Sequence, residues 1–254
     1  MLDPSTIKLH RMGNGPPLIL LHCLGMTHRM WDGLHGLADR YELISYDLPG
    51  HGETRLPDEG YGVEDLSAQL HEVMLREGIA RAHLMGISLG GLVAQHFAAT
   101  WPAMVDHLVL ADTTPRYTEE MRAGWTARAK MARDNGAASL LPLIEKSWFT
   151  PGFVAAGGPA IQFTRATFKA CGGEGYAKAC EALGAADLRA LAPAIKAPTL
   201  VFCGSDESVA FKEATQWLGE HIAGARVETI PVAGHATVLE QPEHVTKLVR
   251  AFLG

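Results

Sequence analysis

Over residues 1–112, short runs of consecutive apolar residues take turns with stretches of helical spacing. Residues 17–22 (PLILLH), 41–46 (YELISY) and 82–87 (AHLMGI) are apolar with little polar alternation and are bounded by turn residues. Runs of this kind predict strands buried on both faces of a parallel sheet. Between them, residues 30–40 and 63–78 carry helical spacing, with Leu66, Leu70 and Val73 at i, i+4 and i+7. Residues 105–111 and 199–203 continue the strand series, and 226–231 supplies a late strand. Strand–helix–strand alternation predicts an α/β fold: a mostly parallel, twisted sheet flanked by helices.

Residues 113–192 break that rhythm. They hold no convincing strand but carry helical stretches at 118–133, 137–148, 160–170 and 176–183, with Gly157-Gly158-Pro159 and Gly172-Gly173 as loop punctuation. The expected organisation is one domain over 1–254, with a core of 1–112 and 193–254 and a helical cap at about 113–192. Such a cap sits over the C-terminal edge of the sheet, where open α/β sheets hold their ligands.

The strongest chemical signal is Gly86-Ile87-Ser88-Leu89-Gly90-Gly91, directly between a strand and a helical stretch. A serine at that junction turns tightly, and small residues two positions away on each side relieve the crowding. The following helix directs its N-terminal amides at the same point, which favours developing negative charge. Ser88 is therefore the candidate nucleophile.

A nucleophilic serine needs a base, and twelve histidines are available. His235, in Val232-Ala233-Gly234-His235, follows the late strand and so shares the sheet edge that presents Ser88. His10, His71, His83, His96, His107, His221 and His244 fall in or beside regular elements and read as structural or solvated. His51, in Asp47-Leu48-Pro49-Gly50-His51-Gly52, reads as a turn histidine that fixes loop geometry. The acid that orients the base is expected after strand 199–203, where Asp206 and Glu207 adjoin; Asp112, after strand 105–111, is a third option. Leu89 and Leu24 are the candidate donors of two backbone amides to an oxyanion. Arg29 is a candidate for orienting a substrate carboxylate, and Trp125 for lining the pocket.

Composition narrows the setting. The chain has 254 residues, 47% of them apolar and 20% charged, which suits one domain with a large core. With 22 basic residues against 28 acidic, it lacks the basic footprint of a nucleic-acid partner. No signal peptide and no apolar run of spanning length is visible, so no membrane partner is expected and a cytoplasmic location is. Cys23, Cys171, Cys180 and Cys203 form no C-x-x-C pair and read as free thiols, with a Cys171–Cys180 disulfide open only in an oxidising compartment.

Taken together, His22-Cys23-Leu24-Gly25, residues 46–52, the Gly86 to Gly90 elbow, residues 198–209 and Gly234-His235 resemble the α/β-hydrolase superfamily. Within it, residues 24–32 (LGMTHRMWD), 86–91 (GISLGG) and Asp187-Leu188-Arg189 are most similar to 3-oxoadipate enol-lactonases. That resemblance implies a cofactor-free, metal-free serine hydrolase acting on a small-molecule lactone that also bears a free carboxylate. The family's acid, an aspartate three residues after a glycine, corresponds to Glu207 when counted from Gly204, so the resemblance favours Glu207 with Asp206 as the alternative. A general carboxylesterase, a carbon–carbon bond hydrolase, a cofactor-free haloperoxidase and a small-molecule receptor use the same constellation.

Overall fold

The computed structural model describes residues 2–254. Strands β1 (His10–Met12), β2 (Pro17–Leu21), β3 (Glu42–Tyr46), β4 (Ala82–Ile87), β5 (Val105–Ala111), β6 (Thr199–Gly204) and β7 (Arg226–Ile230) form one sheet. Its order is β1-β3-β2-β4-β5-β6-β7. All neighbours are parallel except β1, which runs antiparallel to β3. β4 and β6 are buried at every position, as their unbroken apolar runs require. β1 is three residues long and largely exposed, so no apolar run marks it in the sequence.

Helices α1 (Val63–Arg76) and α2 (Leu89–Thr100) pack on each other, and α2 covers β2, β4 and β5. Five helices lie between β5 and β6: α3 (Glu119–Asn135), α4 (Leu141–Trp148), α5 (Pro151–Ala156), α6 (Pro159–Ala170) and α7 (Gly173–Ala185). After β6 come α8 (Val209–His221), then α9 (Thr237–Glu240) and α10 (Pro242–Leu253). Residues 30–40, expected as helical, fall largely within His28–Asp39, a run of 3₁₀ turns against α10. Gly33 and Gly36 lower its α-helical preference, and Gly33 is packed so closely that a Cβ there would lie 2.9 Å from Pro242.

Two helices carry side-chain caps at their N-termini. The Thr118 hydroxyl accepts the Met121 amide at the start of α3, and Asp65 accepts the Gly62 amide at the start of α1. All four cysteines are free. No helix among the described residues is long and apolar enough to cross a membrane.

Candidate active site

Ser88 closes β4 at the centre of the sheet, with φ of 52° and ψ of −113°. A non-glycine residue in that region stores strain, which here is held by neighbours on both sides. The Ser88 amide donates to the Ala111 carbonyl at 3.0 Å, and its carbonyl accepts the Thr113 hydroxyl at 2.8 Å. A Cβ on Gly86 would come within 2.2 Å of the Gly90 carbonyl oxygen, and one on Gly90 within 2.0 Å of the Leu21 carbonyl oxygen. The elbow thus needs glycine at both positions for space.

His235 lies on the loop between β7 and α9, and this loop is tied down at three points. The Gly234 amide donates to Glu240 at 2.6 Å, the Ala236 amide to the Trp148 carbonyl at 3.1 Å, and the Thr237 hydroxyl to Asp112 at 2.5 Å. Asp112 directly follows Ala111, so Ser88 and His235 are joined through a short chain of bonded neighbours. Among the described residues, no hydrogen bond links Ser88 to His235.

His235 Nδ1 donates to Glu207 Oε2 at 2.5 Å, and both side chains are buried. Because an ionised carboxylate only accepts, this bond leaves the proton on Nδ1 and the lone pair on Nε2. Asp206, one residue earlier, is exposed and accepts the Ser205 hydroxyl at 2.7 Å. Burial pulls the His235 pKa down, but the Glu207 charge and hydrogen bond outweigh it and hold the imidazole above its ordinary value. Burial likewise pushes Glu207 up, and the His235 charge with the Ser208 amide outweighs that push, leaving its pKa low.

Asp112 is fully buried at φ 45°, and burial raises its pKa well above the ordinary carboxylate value. It accepts the Gly204 amide at 3.2 Å and both donors of Thr237. Its bonds connect the start of the acid loop to the histidine loop, whereas Glu207 is the carboxylate in contact with the imidazole.

Leu24 and Leu89 lie at the ends of β2 and β4, which are adjacent, with Leu21 opposite Gly86. Neither the Leu24 amide nor that of Leu89 at the start of α2 has an acceptor among the described residues. Two buried histidines hold the Leu24 loop from behind. His51 Nε2 accepts the Gly25 amide at 3.0 Å, and His22 Nε2 accepts the Leu48 amide at 2.8 Å. Each donates through Nδ1 to a carbonyl, His51 to Pro49 and His22 to Cys23. Burial lowers both pKa values, that of His22 to about 3, so both rings are neutral near pH 7.

A cavity of about 260 Å³ opens above the acid–base pair. Glu207, Phe211 and His235 form its floor, and Trp125, Arg128 and Trp148 come from α3 and α4. The Phe211 ring packs edge-on to His235 at 4.7 Å. The Arg128 guanidinium lies 4.6 Å from the Trp125 ring centre and has no carboxylate partner among the described residues. The buried Tyr117 hydroxyl faces the Ser88 side chain without a hydrogen bond of regular geometry.

Trp125 therefore lines this cavity, and Arg29 does not. The Arg29 side chain is 64% exposed, pairs with Asp32 at 3.4 Å and leans toward Phe163. Arg128 was not singled out from sequence. Its spacing of three from Trp125 puts both on one face of α3, but nothing local says which face looks inward.

The chain matches the model of the "Alpha/beta hydrolase family" over residues 18–246. It belongs to that family. It is 31% identical over 239 residues to 3-oxoadipate enol-lactonase 2 of Acinetobacter baylyi, covering 94% of this chain and 88% of that protein. It is 33% identical over 252 residues to a pimeloyl-[acyl-carrier protein] methyl ester esterase of Chromobacterium violaceum, covering 94% of each. The crystal structure of the enol-lactonase from Burkholderia xenovorans LB400 superimposes with a TM-score of 0.92 at 32% identity, covering 97% of this chain and 96% of that one. The chain is thus a hydrolase of the alpha/beta family with enol-lactonase homologues.

Proposed function

We propose that this hydrolase uses Ser88 as nucleophile to cleave a lactone or carboxylic ester whose other end carries a free carboxylate, as in 3-oxoadipate enol-lactone. The observation that carries the reading is the buried 2.5 Å bond between His235 and Glu207, which leaves Nε2 free to act as base. Rotation of the Ser88 hydroxyl toward Nε2 starts the reaction. Oγ attacks the carbonyl carbon as the proton passes to His235, and the charge on Glu207 stabilises the imidazolium. The carbonyl oxygen, now negative, takes the amides of Leu24 and Leu89 at the positive end of α2.

Collapse of the tetrahedral intermediate breaks the carbon–oxygen bond, and His235 returns its proton to the leaving oxygen. Water then attacks the acyl-enzyme, His235 takes its proton, and Ser88 is released with it. In a lactone, alcohol and acid remain one molecule, so the cavity holds the opened product until the second step ends. Arg128 is the cation this reading uses for the distal carboxylate, in place of Arg29, and its unpaired guanidinium supports that choice.

The test is a kinetic panel of 3-oxoadipate enol-lactone, neutral lactones, nitrophenyl esters and a dicarboxylate methyl half-ester. The carboxylate-bearing lactone is expected to have the highest kcat/KM, and Ser88→Ala to lose roughly 10⁴–10⁶-fold in kcat on every substrate. Wild-type turnover by Ser88→Ala refutes the mechanism. Preference for the methyl half-ester moves the substrate to the esterase class that the 33% identical relative represents.

A further inference from the structure

The opposite end of the sheet holds a second group of chemically capable side chains. β4 and β5 pair as Ala82 with Val105 and then Leu84 with Leu108, so His83 faces two residues, Asp106 and His107. This bulge interrupts the alternation that would send Asp106 and His107 to opposite faces, and bulges of this kind re-aim side chains. As a result Asp106 Oδ2 lies 3.6 Å from His83 Nδ1 and 3.7 Å from His107 Nδ1. Both distances are too long for hydrogen bonds. Both nitrogens are shielded from solvent and have no hydrogen-bond partner. Buried polar atoms left this way are costly and call for a missing partner, a water or an ion.

We infer that His83, Asp106 and His107 form a binding site for one divalent transition-metal ion of the zinc type. Two imidazole nitrogens and one carboxylate oxygen are a zinc donor set, and the three ligand atoms lie within 4.8 Å of one another. Around a tetrahedral ion with bonds near 2.0–2.1 Å, ligand atoms sit about 3.3 Å apart, so each carboxylate–imidazole pair closes by a few tenths of an ångström and the two nitrogens by at most about 1.5 Å. Arg81 holds the other carboxylate oxygen, Oδ1, at 2.8 Å and so fixes which oxygen faces the histidines. His107 and Asp106 are partly exposed, giving the ion an entry path and water a fourth position.

A second cluster, His10, His28 and Glu53, fails the same test. Its imidazoles stack face to face at 3.5 Å, so their in-plane lone pairs do not converge. Glu53 and Asp47 already take a nitrogen of each ring.

His83 is five residues from Ser88 along β4, roughly 16 Å, so the ion takes no part in hydrolysis. It ties the start of β4 to the start of β5. The experiment is a titration of tag-free, chelator-treated protein with Co²⁺ followed by Zn²⁺. One equivalent of Co²⁺ is expected to give visible d–d absorption, Zn²⁺ to displace it and raise Tm, and turnover to stay unchanged. His83→Gln and Asp106→Asn should each weaken binding by at least about tenfold, and Glu53→Gln should leave it intact. Absence of the stoichiometric Co²⁺ spectrum in the wild-type protein overturns the inference. So does unchanged affinity in both ligand variants, or loss of binding in Glu53→Gln. Asp106 is on the more open side of the cluster, so its variant serves if His83→Gln does not fold. None of these outcomes bears on the hydrolase reading.

Discussion

The catalytic edge of the sheet and the helical segment between β5 and β6 are built under opposite tolerances, and their glycines display it. At the sheet edge, a Cβ on Gly204 would come within 2.0 Å of the Ala233 carbonyl oxygen, and one on Gly234 within 2.6 Å of the Trp148 carbonyl oxygen. In the helical segment, Gly152, Gly158 and Gly172 meet nothing within 4 Å; only Gly173 and Gly175, at the start of α7, press on backbone, 2.2 Å from the Ala132 carbonyl oxygen and 2.4 Å from that of Gly50. Backbone packed on backbone cannot yield, so the loops carrying Ser88, Glu207 and His235 are rigidly specified. The helical segment contributes side chains to the cavity while much of its own backbone stays unconstrained. Under the proposed function, chemistry belongs to the first region and substrate choice to the second.

The sharpest challenge to that division is at the acid. Glu207→Gln should cost roughly 10³–10⁴-fold in kcat while Asp206→Asn stays within about twofold, measured on one ester under saturation. An equal, mild effect in both would move the role away from Glu207. Next in size is folding stability. Gly90→Ala should destabilise by about 3 kcal/mol, and Gly152→Ala should stabilise by about 0.5 kcal/mol, since Gly152 lies within α5 with nothing within 4 Å of an added Cβ. Urea unfolding of both variants compares the regions directly, and equal losses would erase the contrast.

Substrate choice is read at Arg128. Arg128→Ala should raise KM about 10–30-fold for a carboxylate-bearing lactone and leave neutral esters nearly unchanged, while Arg29→Ala leaves both nearly unchanged. A kcat loss shared by all substrates would instead put Arg128 in the chemistry. The smallest effect is in pH dependence. His235 must be neutral to act, and Glu207 holds its pKa above 6.5, so the acidic limb of kcat/KM should have its midpoint above that value. Residual activity of Glu207→Gln should show the limb moved down. The same raised pKa stabilises the fold below the ordinary histidine value and loses that contribution as pH rises through the folded one. His22 works in the other direction: with a folded pKa of about 3, its contribution is present above 6.5 and is lost as pH falls between those values.

Much of this fold is legible in the chain because its central strands are buried on both faces. β4 and β5 begin and end where their apolar runs do, and α3 begins one residue after its capping Thr118. What escaped notice is what lacks a local signature. β1 has three mostly exposed residues and owes its existence to pairing with β3. The 28–39 segment has helical spacing, and only its fit against α10 explains the 3₁₀ turns. Pro151–Ala156 is a helix of six residues with no buried face to read.

The site divides in the same way. Ser88 and His235 stand out in the chain because a strained turn and a post-strand loop are properties of a few contiguous residues. Asp206 and Glu207 carry the same charge in the same loop, and the direction each side chain points depends on Ala233 and His235, far along the chain. Arg29 adjoins a recognisable loop in the sequence and Arg128 does not, and only packing of α3 over the loops after β6 and β7 brings Arg128 into the cavity. His83, Asp106 and His107 read as ordinary strand residues until a bulge turns them together. The sequence by itself determined the architecture and the junctions that carry Ser88 and His235, since burial pattern and backbone strain are local. The tertiary structure alone decided which carboxylate, which cation and which histidines meet, because side-chain direction is set by contacts between distant segments.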